Sequence, residues 1–261
     1  MPQLTREIFP VKRFPERKDA EDSDFGENGS KLLSTVCHEL RTPLAIIRGY
    51  TTLLLDYDGR LKNGEKREYI ESIDKATSQL VELVDHILDV SRLKSGQLKL
   101  EKTLTSVSKL IREAVAEARL RATGHTIRLE PNNVLPRVRV DTKRIRQVMD
   151  NILDNAIKYS EKGTEIIVSV VPQEEELLIS FSDQGAGVPT SDLERVFERL
   201  YCVEHQSMPG SYGLGLSLAI CRGLVEAHGG HIWLESAEGK SIYQTDTRRE
   251  AIARYRQWAA R

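Results

Sequence analysis

The sequence predicts two modules in one chain, a helical hairpin followed by an α/β domain with a mixed sheet. Between residues 30 and 94, apolar residues recur at three- and four-residue steps, which is typical of amphipathic helices. From about residue 98, short strand-like runs alternate with helical segments, which indicates one sheet covered by helices on one face. With 261 residues and 39% hydrophobic content, the chain can build one moderate core plus a helical module.

The helical module is expected at residues 29–96. Residues 1–28 hold three prolines, a basic patch and an acidic run, so they are predicted to be a linker or disordered segment. One helix is predicted over 30–56 and a second over 65–94, ended by Gly96. Each helix carries an apolar stripe that a single hairpin cannot cover. Pairing two hairpins into a four-helix bundle would bury both stripes, so the pattern predicts a homodimer.

The α/β domain is expected at residues 97–242. Its predicted helices span residues 107–121, 141–160 and 193–201, and a further helix follows the glycine-rich segment and ends near residue 228. Its predicted strands span residues 126–130, 137–140, 165–171, 175–182 and 231–235. Residues 243–261 place apolar side chains at helical spacing, so a tail helix is expected to shorten or replace the last strand.

Charge and cysteine content narrow the function classes. The net charge of −1 gives no reason to expect nucleic-acid binding or electrostatic attraction to a membrane. No apolar run approaches the ~18 residues of a transmembrane helix, and no signal peptide is recognisable. The three cysteines, Cys37, Cys202 and Cys221, lack metal-ligand spacing, and their odd number suits a reducing cytoplasm.

A histidine with a neighbouring carboxylate stands on the first predicted helix. His38 and Thr42 are one turn apart and share a face, while Glu39 lies beside the histidine. An accessible imidazole next to a carboxylate can attack an electrophile, because its proton has an acceptor. An isolated histidine in such a helix is more often a partly buried side chain.

A polar stripe marks the helix predicted over residues 141–160. Asn151, Asn155, Lys158 and Tyr159 follow at i, i+4, i+7 and i+8, so they project from one face. Two amides, a cation and a phenol suit a magnesium-bound triphosphate, since amide oxygens are hard ligands that leave room for water and phosphate.

Two glycine motifs follow this helix. Asp183, Gly185 and Gly187 stand at the end of a predicted strand, where the glycines let the backbone approach a ligand closely. The second motif contains Gly213, Leu214, Gly215 and Leu216 and stands at the start of a predicted helix. The backbone N–H groups at a helix start can bind phosphate. Each motif alone also occurs in ordinary turns.

Together these segments resemble sensor histidine kinases over about residues 30–240. Residues 38–44 resemble the phosphoacceptor box of that family, and residues 150–160 resemble its N-box. The resemblance implies a Bergerat-type ATP-binding sandwich, with Mg²⁺ on Asn155 and adenine read by Asp183. Lys158 and Tyr159 would lie near the phosphates. It further implies autophosphorylation of His38 and transfer to an aspartate of a response regulator, with Thr42 positioning water for dephosphorylation of the regulator.

The chain also departs from the family pattern. Cys202 stands where the family usually has an arginine, Ser211 occupies the first glycine position of the last motif, and the expected final strand is altered. A guanidinium could stabilise a transferring phosphoryl group, whereas a cysteine cannot. Two alternatives therefore remain: a kinase-weak phosphatase or dimeric scaffold, and a non-kinase ATP switch of the gyrase or chaperone type, for which His38 would have no use.

Overall fold

Two long helices form the first module. The computed structural model describes residues 27–57, 59–130, 135–173, 176–201, 214–237 and 240–245. Helix α1 (Glu27–Tyr57) packs against α2 (Asn63–Lys94), and the rings of Tyr50 and Tyr69 lie 5.0 Å apart between them. Gly96 follows α2 with φ of 64°, a conformation that glycine adopts readily at a helix end. The predicted helical hairpin is confirmed.

The second module is an α/β domain with a mixed sheet. Its elements in chain order are β1 (Thr103–Ser106), α3 (Val107–Arg121), β2 (Thr126–Leu129), β3 (Arg137–Val140), α4 (Thr142–Tyr159), β4 (Glu165–Pro172), β5 (Leu177–Asp183), α5 (Ser217–Ala227), β6 (Ile232–Ala237) and β7 (Lys240–Thr245). Five strands form one sheet in the order β2-β4-β5-β7-β6, in which β2 and β4 are parallel and the other neighbours antiparallel. This confirms the predicted mixed sheet.

One face of the sheet packs against the helices. Buried residues alternate with less buried ones along β4 and β5, as the two-residue period of a strand requires. Phe181 and Ile166 from the sheet are almost fully buried, as are Ile111, Ile152 and Leu224 from helices α3, α4 and α5. The core of the domain therefore lies between this sheet face and the three helices.

One segment of this domain was misassigned from the sequence, and one strand was missed. Residues 193–201 do not form a helix; the structure has short 3₁₀ turns at Thr190–Asp192 and Arg195–Phe197. Leu200 adopts φ of 64° there, which right-handed helix excludes, and its N–H donates to the carbonyl of Gly215 at 3.0 Å. The small strand β1, which pairs with β3, was also not predicted.

The last strand is present, contrary to the expectation that a tail helix would shorten or replace it. Strand β7 lies between β5 and β6 and extends to Thr245, beyond the predicted domain end at residue 242. Ile242, Tyr243 and Thr245 are β-branched or aromatic, and pairing on both sides stabilises the strand. The predicted tail helix, Cys202 and Ser211 lie outside the described residues.

The two modules are joined by a buried polar contact. Asp89 of α2 accepts hydrogen bonds from Arg144 Nη1 at 2.8 and 2.9 Å and from Gln147 Nε2 at 2.7 Å. We call these three residues the interdomain clamp. Nearby, Leu93 of α2 packs directly on Gly223 of α5, where an added Cβ would lie 2.7 Å from the leucine Cδ1. The clamp residues also line an open cleft of about 1150 Å³ between α2 and α4.

None of the described helices combines the length with the hydropathy that a membrane-spanning helix requires.

Candidate functional site

His38 lies on the surface of α1, with a carboxylate beside it. Its side chain is 76% exposed, and Nδ1 lies 3.6 Å from Oε1 of Glu39. That separation is an electrostatic contact rather than a hydrogen bond. Thr42 lies one turn further along α1, and its hydroxyl donates to the His38 carbonyl at 3.5 Å. The structure therefore brings together the three residues that the sequence singled out on this helix.

The start of α4 is fixed by Asp141. Its Oδ1 accepts from the N–H groups of Lys143 and Arg144, at 3.1 and 3.2 Å, as expected for an N-cap residue. Its Oδ2 accepts from the N–H of Glu101, at 3.0 Å. Burial acts to raise the pKa of Asp141, but these three donors outweigh it and the pKa is lowered. The helix that carries the polar stripe is thus anchored at its first turn.

The polar stripe of α4 divides into an inner part and an outer part. The amide of Asn151 contacts the buried thiol of Cys221 on α5, and Asn151 Nδ2 has no hydrogen-bond partner among the described residues. Asn155 and Lys158 are half-buried, and Tyr159 is exposed. The Lys158 ammonium lies 5.0 Å from the centre of the Tyr159 ring, a cation–π contact. The outer end of the stripe therefore presents an amide, a cation and an aromatic ring together.

The end of β5 meets the end of α4. Asp183 is 2% exposed, and its Oδ1 accepts from the N–H of Gly185 at 2.9 Å. Gly185 forms a bridge with Ser160, and a Cβ on it would lie 2.6 Å from the carbonyl oxygen of Tyr159. Only glycine permits this approach. The two motifs, separated by more than twenty residues in sequence, therefore form one site.

The glycine motif before α5 is partly described. Gly213 lies outside the described residues. Gly215 has φ of 61°, and a Cβ there would lie 2.6 Å from the carbonyl oxygen of Tyr201. Leu214 and Leu216 are buried in the core, so only their main chains can contact a ligand. Among the described residues, no side chain caps the start of α5, which leaves its first N–H groups available to an anion.

Sequence reasoning missed two buried residues behind this site. Burial raises the pKa of the Cys221 thiol to about 12, although the neighbouring Asn151 amide acts to lower it. Tyr243 of β7 is also buried; burial, and then Asp183, Tyr159 and Cys221, raise its pKa. In the sequence Cys221 stands out only as one of three cysteines, and Tyr243 lies in the strand that is expected to be altered.

The arrangement offers two different chemistries on two modules. The hairpin presents an accessible nucleophile with an adjacent base. The α/β domain combines a buried carboxylate, close-packed glycines and the Lys158 ammonium, which suits a ligand with a polar base and an anionic tail. Among the sequence-predicted residues, Asn155 offers the amide oxygen that a hard cation would take.

Family models match both modules. Residues 30–96 match the model of the His Kinase A (phospho-acceptor) domain. Residues 140–247 match the model of the histidine kinase-, DNA gyrase B- and HSP90-like ATPase. The first match covers His38 and the second covers α4 and the Asp183 motif.

Individual relatives agree with these matches. The sensor histidine kinase WalK of Bacillus subtilis is 35% identical over 231 residues, which are 87% of this chain and 38% of WalK. The chain spans 27% to 38% of the lengths of three curated relatives, WalK among them.

Solved structures of histidine kinases share this fold. The histidine kinase AdeS of Acinetobacter baumannii has a TM-score of 0.62 at 24% identity, covering 82% of this chain and 98% of its own, and shows the fold alone. The histidine kinase ThkA, solved in complex with the response regulator protein TrrA, has a TM-score of 0.61 at 25% identity. The match covers 85% of this chain and 62% of the matched chain. This chain belongs to the sensor histidine kinases, with their phosphoacceptor domain followed by their ATP-binding domain.

Proposed function

We propose that this chain autophosphorylates His38 from ATP and passes the phosphoryl group to an aspartate of a response regulator. The observation that carries the proposal is the exposed imidazole of His38 with Glu39 at its Nδ1. Because the carboxylate approaches Nδ1, the Nε2 nitrogen is the one that faces a phosphoryl donor. The ThkA complex supports a response regulator as the partner class.

The transfer follows from the geometry at His38. The Nε2 lone pair attacks the γ-phosphorus in line as the bond to the β–γ bridging oxygen breaks, and ADP leaves. The Nδ1 proton passes toward Glu39, which either orients the ring or accepts the proton. Thr42, held one turn away, positions the water that later hydrolyses the regulator's phosphoaspartate.

The proposed nucleotide site lies where α4, β5 and the start of α5 meet. Asp183 accepts from the exocyclic amine of adenine, while Gly185 and Gly187 allow the base to approach. Lys158, Tyr159 and the backbone of residues 213–216 lie along the phosphates. Asn151 belongs to the inner part of this site, where its amide lies against the Cys221 thiol.

A magnesium ion fits the outer part of the stripe. Asn155 is half-buried and offers one neutral amide oxygen, which suits an ion that keeps most of its shell in water and phosphate. When bound, Mg²⁺ neutralises charge on the phosphate oxygens.

The hairpin is proposed to dimerise. Large apolar side chains remain exposed along its two helices, including Leu53, Leu55, Ile70, Val81 and Leu88. A second hairpin packed against them would complete a four-helix bundle. We place the dimer in the cytoplasm, where ATP and response regulators are available.

The alternatives differ in how well the structure supports them. A kinase-weak phosphatase or scaffold was motivated by Cys202 and by the altered final strand. Strand β7 is present, so only Cys202, outside the described residues, still favours that reading. A non-kinase ATP switch does not account for the phosphoacceptor-domain match at residues 30–96.

Incubation with γ-labelled ATP tests the proposal. The parent chain should acquire acid-labile, base-stable label, because phosphohistidine has that stability, and His38→Gln should acquire none while still binding ATP. His86→Gln, at the other histidine of the hairpin, is the matched control and should label normally. Label retained in His38→Gln would place the acceptor elsewhere, and an unlabelled parent that binds ATP would favour the phosphatase or scaffold.

A further inference from the structure

The end of helix α4 is held by a histidine from another part of the domain. His125 stands just before β2, and Nε2 of its half-buried ring lies 3.3 Å from the carbonyl oxygen of Ser160. A carbonyl oxygen can only accept, so Nε2 carries the hydrogen and donates it. Ser160 follows the last residue of α4, where carbonyl groups lack donors from their own helix. His125 therefore supplies a hydrogen bond that the helix cannot supply itself.

Ser160 is also the point at which α4 meets the end of β5. It forms a β-bridge with Gly185, and a Cβ on Gly185 would lie 2.6 Å from the carbonyl oxygen of Tyr159. The Gly185 N–H in turn donates to Oδ1 of Asp183 at 2.9 Å. Because these backbones are in close contact, a shift of Ser160 displaces Gly185, and with it the donor that orients the carboxylate. A continuous series of contacts thus connects the His125 ring to the Asp183 carboxylate.

Main-chain hydrogen bonds on both sides fix the position of His125. The Gly163 N–H donates to the Gly124 carbonyl at 2.7 Å, and the Thr126 N–H donates to the Thr164 carbonyl at 3.1 Å. Strand β2 then continues in parallel pairing with β4. The histidine therefore stands at the start of a paired strand, and a ring supported in this way can hold the end of α4 in place.

We propose that His125 is a positioning residue for nucleobase recognition, which fixes the end of α4 so that the Asp183 carboxylate meets the 6-amino group of adenine. The inference rests on the proposed function, because it assumes that Asp183 reads the base of ATP. Inosine triphosphate (ITP) carries a 6-oxo group, which has no hydrogen to donate, so ITP gains nothing from a well-placed carboxylate. Any effect on the phosphates is shared by ATP and ITP and cancels in the ratio of their Kd values.

His125→Phe tests the role of the hydrogen bond, because it removes the donor and keeps an aromatic ring. Kd values for ATP and ITP, each with Mg²⁺, are measured by calorimetry on the full chain. We expect the preference for ATP over ITP to fall roughly fivefold, as for the loss of one neutral hydrogen bond. His231→Phe is the matched control, because His231 is exposed and precedes β6 at the end of the sheet opposite Asp183. The control should keep the preference of the parent chain.

His125→Gln separates positioning from a merely structural effect. Its side-chain amide can donate to the Ser160 carbonyl, so it should retain much of the preference for ATP that His125→Phe loses. Equal weakening of ATP and ITP binding in His125→Phe would overturn the proposal, as would a glutamine variant that loses as much preference as the phenylalanine variant. A parent chain that fails to bind ATP, or that binds ATP and ITP equally, would refute the proposed nucleotide site and this inference with it. A parent that prefers ATP, with the same preference in His125→Phe, would refute this inference alone.

Discussion

Replacing Asp89 by alanine is expected to loosen the α/β domain from helix α2. Asp89 is 3% exposed and accepts three hydrogen bonds within the interdomain clamp, two of them from Arg144. Removing one partner of a buried ion pair costs about 3–5 kcal/mol, because the remaining charge stays buried. The Arg144 side chain is 22% exposed and can recover part of its hydration, so we expect about 3 kcal/mol, the low end of that range.

Thermal unfolding and amide hydrogen exchange measure this loss. For a unit of 150–250 residues, about 3 kcal/mol corresponds to a melting temperature lower by roughly 6–12 °C. The rate of amide hydrogen exchange should rise in the second half of α2 and in the first turns of α4, because the clamp joins these two segments. Asp85→Ala, one turn earlier at an exposed position of α2, is the control and should shift the melt by little. Equal melting temperatures for the Asp89 and Asp85 variants would refute the reasoning that the clamp holds the modules together.

Three further predictions concern packing and pH. His228 is held neutral, since its Nε2 accepts from the N–H of Asp141 at 3.0 Å and its Nδ1 lies 2.7 Å from the Leu224 carbonyl oxygen. Burial lowers the pKa of His228 below 6.5, so the unfolded chain binds the proton more tightly than the folded chain does. The contribution of the neutral His228 to the free energy of unfolding is therefore fully present above about pH 6.5 and is lost as the pH falls below it. The melting temperature of the parent chain should therefore fall as the pH is lowered from 7.5 to 5.5, and that of His228→Gln should fall less. Parallel curves of melting temperature against pH for the two chains would contradict this. Gly223→Ala should destabilise the chain by about 1–3 kcal/mol through contact with Leu93, and denaturant titration should show less than additive loss with Leu93→Ala; full additivity would argue against the contact. Gly185→Ala should abolish ATP binding, measured by calorimetry, because its Cβ would lie 2.6 Å from a main-chain oxygen at the end of α4, and parent-like affinity would exclude that packing.

Local signals in the sequence predicted much of the fold. Helix α3 and strand β3 have the predicted bounds, and Asp141 caps α4 as predicted. Helix N-caps, the spacing of apolar residues and the glycines that end helices depend on only a few neighbouring residues, so they can be recognised without the structure. The polar stripe of α4 and the Asp183 motif were likewise recognisable, since each depends on spacing within one element.

The remaining features depend on contacts between distant residues. Residues 193–201 have apolar spacing that favours a helix, but the hydrogen bond from Leu200 to Gly215 fixes a different conformation. Strand β7 is stabilised by partners on both sides that its own short pattern does not reveal. The Asp89–Arg144 pair joins residues 55 positions apart, and neither is distinguishable in sequence from an ordinary charged surface residue.

The interdomain clamp also affects how chimaeric kinases should be built from this chain. The phosphoacceptor-domain match ends at residue 96, which makes that position the obvious junction for exchanging ATP-binding domains. A junction there would transfer Arg144 without its partner Asp89, and Gly223 without Leu93. A junction upstream of Asp89 transfers both contacts together, so the end of α2 should travel with the ATP-binding domain.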